Sequence, residues 1–572
     1  MPERPLLILP KPEAIQKPKG RPAFPPKINR PGADNQGVKF APKFDRLKSA
    51  VGDPNEMAQL ISDPASIAPE RAIVFEVAGT IEDFYHKAKK AGLEYLGEDE
   101  TLIEPNEEEF YFDGELDKEI SGRIYLAMPD VQALNQLISL WERFTSQQKM
   151  PHGFTPWREL FDLLKDVRPW GPKDRIPDDT VAYWKELLAE HPNTPVRFEV
   201  ELWFRENREK RAQAYNNLLQ VINRVGGTAV HHAIIEDIRY DAALVDMPPG
   251  EIQTLIDNPN INIAIADDIM FIRPQSMASF KEELVELEDT VPQPTSTPQE
   301  IPIAALLDGV PVQNHTLLQN RIELEDPDGF ESLTPVANRI HGTGMASLIL
   351  HGDRNKQASP IRYRLYIRPV MYFHNHDERT TENQLIVDVI YRALMRIKEG
   401  EATAPDVFLV NLSLGDPNRP FTGLISPWAR LIDYLSYQYK LLFIISAGNI
   451  KASLPVPPYQ GSIDFENAAV EEREQNILFA LNNNKSQRTL LSPSEAMNAL
   501  TIGAWHSDSN TSPQSSTAID PFPSGNLPNI SSAFGLGYGK TIKPDLHFDG
   551  GKESVSLQPS GGSIKLKPLE IY

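Results

Sequence analysis

The sequence predicts an α/β protein: a parallel sheet with helices on both faces in the C-terminal half, preceded by one or two small α+β modules. Three observations predict it. Apolar runs ending in polar or small residues recur beyond residue 300 and alternate with helical patterns, as the strands of a buried parallel sheet do. Upstream, shorter strand and helix patterns follow one another in the order β-α-β-β-α-β. At 572 residues the chain is also too long for one hydrophobic core.

Composition narrows the function classes. Hydrophobic content of 40% and charged content of 24% are globular values. The net charge of -22 repels phosphate backbones and anionic lipid, so general nucleic-acid or membrane binding is not expected. With no cysteine, neither a disulfide framework, a thiolate metal site nor a Cys nucleophile is available, which leaves Ser, Thr, carboxylate and His chemistry. The start has a four-residue apolar run flanked by prolines, too short for a signal-peptide core, and no apolar stretch of about 20 residues follows. The expectation is a soluble, cytoplasmic protein.

Residues 1–66 read as a basic, Pro-rich N-terminal arm, extended and without a core of its own. Residues 67–150 read as a small α+β module: strand (AIVFEVAG), helix (IEDFYHKAKKAG), strand (LEYLG), an acidic loop from Glu98 to Glu119, strand (GRIYLAMPD) and helix (VQALNQLISLWERF). Residues 151–193 form a helical connector built on PWRELFDLLKDV and DTVAYWKELLAEH. Residues 194–276 repeat the β-α-β-β-α-β order, the ferredoxin-like arrangement, of which the first module reads as a diverged copy. A short helical piece and a Pro/Thr/Ser-rich linker occupy 277–299, and the last domain spans 300–572.

The chemistry lies in that last domain. IPIAALLDGV is a buried strand delivering Asp308 at its carboxyl end, the edge where ligands sit in open α/β sheets. An Asp after a strand is commonplace, and His341, which begins the helix in NRIHGTGMASLIL, is ambiguous by itself. VFLVNLSLGD and LLFIISAGN are two further strands ending in small and polar residues, the second in Asn449.

In this order the four segments resemble the subtilases, whose motifs run D-x-G, H-G-T-x-x-A, N-x-S-L-G and A-G-N. TIGAWHSDS, ISSAFGLG and KPDLHFDGG continue the likeness over roughly 301–551. The resemblance implies a serine endopeptidase acting on protein or peptide substrates. Asp308 would orient His341 and stabilise its imidazolium, His341 would be the general base, Asn449 the oxyanion donor, and Asn411, Leu412, Ser413, Leu414, Gly415 and Gly448 the substrate-binding backbone. It also implies that the β-α-β-β-α-β module before the domain is propeptide-like. Calcium is common in the family, and some cytoplasmic members are paired with ATPases, the sense in which a regulatory partner is implied.

Gly344 stands where many subtilases have a second His, Phe548-Asp549 replaces Ala-Pro, and Ile450 to Leu490 reads as an insertion beside the cleft. No G-T-S-x-A-x-P motif follows Gly551, and Ser554, Ser556, Ser560 and Ser563 lack the helical context that motif needs. The expectation is therefore a subtilase whose serine lies beyond these residues, the chain as given being inactive; the alternative is a catalytically dead subtilase-fold binding or regulatory protein. His231-His232 with Glu236 reads as strand side chains on opposite faces, and His374-Asn375-His376 as a polar loop. No phosphate-binding G-x-x-x-x-G-K-[ST] occurs.

Overall fold

The computed structural model describes residues 28–280 and 298–569, apart from Gly114, 357–358, 401, 509–517 and 561–562. The chain divides into two compact units, Met1–Pro169 and Trp170–Tyr572.

In the first unit, helices α1 (Gly32–Gly52) and α2 (Pro54–Ser62) precede β1 (Ile73–Val77), α3 (Phe84–Lys90), β2 (Glu94–Ile103), β3 (Ile120–Met128), α4 (Val131–Thr145), α5 (Thr155–Asp162) and β4 (Leu164–Pro169). The strands pair in the order β2-β3-β1-β4, all antiparallel. Three expectations change here. The basic arm is not extended from Gly32 onward: Phe40, Phe44 and Leu47 recur on one helical face and are buried in the core of this unit. The acidic loop is strand as far as Ile103, because Glu100 lies opposite Arg123 and pairs with it at 3.2 Å. The helix read through LLKDV stops at Asp162, and Leu164–Pro169 becomes a fourth strand because β1 offers its backbone a ladder.

The second unit begins with α6 (Asp178–Glu190) and a module of β5 (Val196–Leu202), α7 (Arg208–Arg224), β6 (Thr228–Ile235), β7 (Tyr240–Met247), α8 (Pro249–Asp257) and β8 (Ile269–Pro274). Asn207 caps α7 by accepting from the Glu209 N–H. The sheet order β8-β5-β7-β6 is the ferredoxin-like one, and the first unit has the same order read from its other edge. The chain then runs out through a two-residue strand, β9 (Ser279–Phe280); of the expected helical piece and linker, residues 281–297 lie outside the described residues.

The C-terminal sheet has seven parallel strands in the order β11-β12-β10-β15-β16-β18-β19. These are β10 (Gln299–Asp308), β11 (Ile322–Leu324), β12 (Tyr363–Pro369), β15 (Leu409–Leu412), β16 (Leu442–Ser446), β18 (Ala499–Trp505) and β19 (Leu546–Asp549), with the hairpin β13 (Met371–His374) and β14 (Asp377–Thr380) between β12 and β15. Helices α10 (Ile386–Lys398) and α11 (Pro427–Tyr439) cover one face through Val410, Leu412, Phe443 and Ile445. The sheet of the preceding module packs into the same core through Ala233, Ile235, Tyr240, Ala242 and Leu244. On the opposite face, α9 (His341–His351) covers Leu306, Leu365 and Ile367. The insertion beside the cleft supplies β17 (Leu454–Val456), α12 (Ser462–Asn467) and α13 (Val470–Asn483), which pack with the hairpin β20 (Ser554–Ser560) and β21 (Ser563–Leu569) in a separate core.

Half of the α9 face has no cover among the described residues of this unit. In register across β15, β16, β18 and β19 stand Leu409 with Leu442, Ile444 with Leu500, Ile502 with Leu546, and Ala504 with Phe548. All are only half-buried or exposed, Leu546 at 56% and Phe548 at 73%. Parallel strands are normally covered on both faces, and burying one such Leu or Phe contributes about 1.5–3 kcal/mol. Residues 1–572 are therefore expected to bind the dye ANS and to self-associate, and Leu546→Ser with Phe548→Ser to lower the dye signal by about half. Unchanged dye binding and sedimentation in that variant would show the face to be covered.

Candidate active site

The candidate residues meet at the carboxyl edge of the parallel sheet, where strand ends leave polar groups outside the hydrogen-bonded ladder. Asp308 ends β10 and is fully buried. Its Oδ1 accepts from the Gly309 N–H at 2.6 Å and lies 2.6 Å from Nδ1 of His341, the first residue of α9. Two glycines allow this approach. A side chain at Gly342 would overlap the Gly309 carbonyl, so the start of α9 abuts the loop after β10 backbone to backbone. Thr343 pins the same loop, its hydroxyl accepting from the Val312 N–H at 2.9 Å.

A carboxylate not foreseen from sequence completes this corner. Glu378, on β14, accepts from the His341 N–H at 2.7 Å. No side chain caps α9 at its preceding residue, and Glu378 places negative charge at the helix's positive end instead. It stands 37 residues from His341 in a polar stretch with no motif, so no local signal marks it.

Asn411 to Gly415 run from β15 along the edge, with Ser413 Oγ donating to Asn411 Oδ1 at 3.0 Å. Gly448 and Asn449 follow β16 and are held by residues 531–533, which come after β18: the Ala533 N–H donates to the Gly448 carbonyl and the Ile450 N–H to that of Ser531. Asn449 pairs with Ser532 through the backbone and keeps its side chain exposed. Strand geometry thus brings Asp308 and His341 into contact and sets Asn411–Gly415 and Gly448–Asn449 on neighbouring strand ends. Ser554, Ser556, Ser560 and Ser563 lie instead in the antiparallel hairpin β20–β21; the Gly-Gly turn between its strands is outside the described residues.

The tail of the preceding module enters this edge. Ser279 and Phe280 pair antiparallel with Arg379 and Glu378, and the Thr380 N–H donates to the Ala278 carbonyl. The Phe280 ring stacks on the His341 imidazole, 4.0 Å between centroids. Ser276 Oγ donates to Asp416 Oδ2 at 2.6 Å, and Gln275 Nε2 to the Glu382 carbonyl at 3.0 Å. His374 ends β13, and Asn375 and His376, both with positive φ, form the turn of the hairpin that receives the tail. His231 faces Asp388 at 3.6 Å, while His232 stacks on Tyr215 and bonds Asp241, so the two histidines do face apart. Among the described residues no group of three or more His, Asp or Glu side chains converges to hold a metal ion, so no calcium site is assigned. No helix among them is long and apolar enough to cross a membrane.

Burial pushes the Asp416 carboxyl up to about 6, against the opposing pull of Arg419 and of its hydrogen bonds to Ser276 and backbone N–H groups. An acid with a raised folded pKa binds its proton before the unfolded chain does. Its contribution therefore favours the folded state below the folded pKa and is lost as pH rises from about 4 through about 6, by at most about 3 kcal/mol. Urea titrations at a series of pH values should show this slope, and Asp416→Asn should remove it.

Comparison with known proteins agrees with this geometry. The Subtilase family matches residues 299–568, the whole parallel sheet and the β20–β21 hairpin. The chain is also 30% identical over 143 residues to the uncharacterized protein y4bN of Sinorhizobium fredii, a match spanning 24% of this chain and 30% of that relative. The sheet, the Asp308–His341 contact and the family match agree that residues 299–568 form a subtilase domain.

Proposed function

We propose that the protein is a serine endopeptidase in which Asp308 and His341 serve a serine carried on a further helix. The supporting observation is the 2.6 Å contact between the buried Asp308 carboxylate and His341 Nδ1. That contact fixes the imidazole tautomer with Nε2 as the base and stabilises the imidazolium formed when the base takes a proton. The serine hydroxyl would lose its proton to His341 as its oxygen attacks the scissile carbonyl. Asn449 would donate its side-chain amide to the resulting oxyanion, and the proton on His341 would pass to the leaving amine. The substrate would lie extended along Leu412–Gly415 as an added strand. The open apolar face over β15, β16, β18 and β19 supports the second half of the proposal, because a serine-bearing helix laid there would cover it. The module at 194–276 would act as an inhibitory prodomain, its tail pairing with β14 and bonding Asp416 next to the substrate strand, and Phe280 covering the base.

A fluorophosphonate probe, which labels activated serines, should leave residues 1–572 unmodified and label a form extended through a G-T-S-x-A segment. Stoichiometric labelling of residues 1–572 would remove the serine-on-a-further-helix reading. In the serine-containing form Phe280→Ala should raise the labelling rate severalfold, and an unchanged rate would show that the tail does not guard the site.

The second test separates transition-state stabilisation from binding. Asn449→Ala should lower kcat with little change in KM, on the scale of about 100- to 1000-fold known for such a donor in a subtilisin. A raised KM at unchanged kcat would take Asn449 out of the oxyanion role.

A further inference from the structure

We infer that Leu491 restricts this enzyme to peptide bonds that follow a small residue: glycine, alanine or serine. The inference rests on the peptidase reading above and adds the substrate class. If the substrate runs along Leu412–Gly415 and the attacked carbonyl points to Asn449, the side chain preceding the scissile bond must enter between two segments. These are Ser413–Gly415 after β15 and Ala447–Asn449 after β16, on adjacent strands of the sheet.

The walls of that slot are glycines. A Cβ on Gly415 would stand only 3.5 Å from the Gly448 Cα, so the two backbones face each other closely. Such walls admit a large side chain only if the space behind them is empty, and Leu491 fills it. Its Cγ and Cβ lie 2.6 and 2.7 Å from where a Gly448 Cβ would be, and its Cβ lies 3.3 Å from where a Gly415 Cβ would be.

Leu491 is not free to swing away. It is 5% exposed and packs in a cluster with Phe421, Ala447, Ile450, Leu490 and Ala533. Its backbone N–H donates to the Ala447 carbonyl at 3.1 Å. On either side the Phe421 N–H donates to the Leu490 carbonyl and the Asp416 N–H to that of Ser492. Leu491 is thereby stitched to both segments that line the slot. Interiors packed this closely resist added volume, so a Phe or Leu entering the slot must displace a fixed side chain, whereas a hydrogen, methyl or hydroxymethyl need not.

The test uses the complete, serine-containing protein. Its cleavage positions in a denatured protein mixture are mapped by mass spectrometry, and kcat/KM is measured for two peptides differing only in Ala or Phe before the bond. The wild type should cut after Gly, Ala and Ser and favour the Ala peptide by about 50-fold or more; Leu491→Ala should shrink that ratio at least about tenfold. The wild-type cleavage map needs no variant, so a misfolded Leu491→Ala protein leaves the inference testable. Fluorophosphonate labelling in parallel separates the two failures. A labelled wild type that cuts after Phe, Leu or Lys as readily as after Ala, in a substrate or in its own tail, overturns the role of Leu491. A serine-containing form that takes no label overturns the peptidase reading beneath it.

Discussion

The close approach of Gly309 to Gly342 lets the carboxyl end of a buried strand touch the amino end of a helix with no side chain between them, and the Asp308–His341 pair depends on that approach. A fully buried carboxylate is costly unless its oxygens find partners, and Asp308 Oδ1 has two, the Gly309 N–H and the imidazole, while Oδ2 is buried without one among the described residues. The same approach sets α9 over the β10–β12 half of the sheet, with Glu378 against its first N–H. The position of His341 and the two carboxylates beside it thus follow from one steric permission.

The parallel sheet makes a second demand, since each of its faces needs a covering layer. On one side α10 and α11 provide it, and their outer surface is covered in turn by the β6–β7 face of the preceding module. Polar groups set the alignment of that docking. Arg419 meets Glu199 at 2.7 Å with both side chains nearly buried, Arg430 meets Glu201, and Tyr240 donates to Glu199. Buried pairs of this kind add little net stability over apolar packing, but removing one partner strands a charge, so they fix one register of module on domain. That register delivers residues 275–280 to the carboxyl edge of the parallel sheet, with Asp416, Thr380 and His341 as successive contacts. A module whose apolar face alone held it could slide; one keyed by Glu199 and Glu201 cannot without leaving ions unpaired.

Much of this was legible in the chain. The apolar runs at 301–308, 407–412 and 441–446 read as buried parallel strands because each is short, rich in aliphatic residues and ends in small or polar ones. The β-α-β-β-α-β order in 194–276 was written in period and turn residues alone. The first module was read less well. The helix at 32–52 was hidden because basic and proline-rich composition outweighed the 40, 44, 47 spacing, and β4 because an apolar pair beside a helix reads as more helix until β1 is there to bond it.

For the candidate site, the sequence by itself named the groups that the structure places at one sheet edge: Asp308, His341, Asn411–Gly415 and Gly448–Asn449. It could do so because each is tied to the end of an element whose periodicity is local. Tertiary structure decided what no window of residues holds: that Glu378 reaches the His341 N–H, that Phe280 lies on the imidazole, and that Leu491 packs against both Gly415 and Gly448. Those three are separated from their partners by between 37 and 76 residues, and their contacts arise where loops from different strands converge on one sheet edge. Local periodicity fixes where a strand ends; only packing fixes which other strand's loop arrives there.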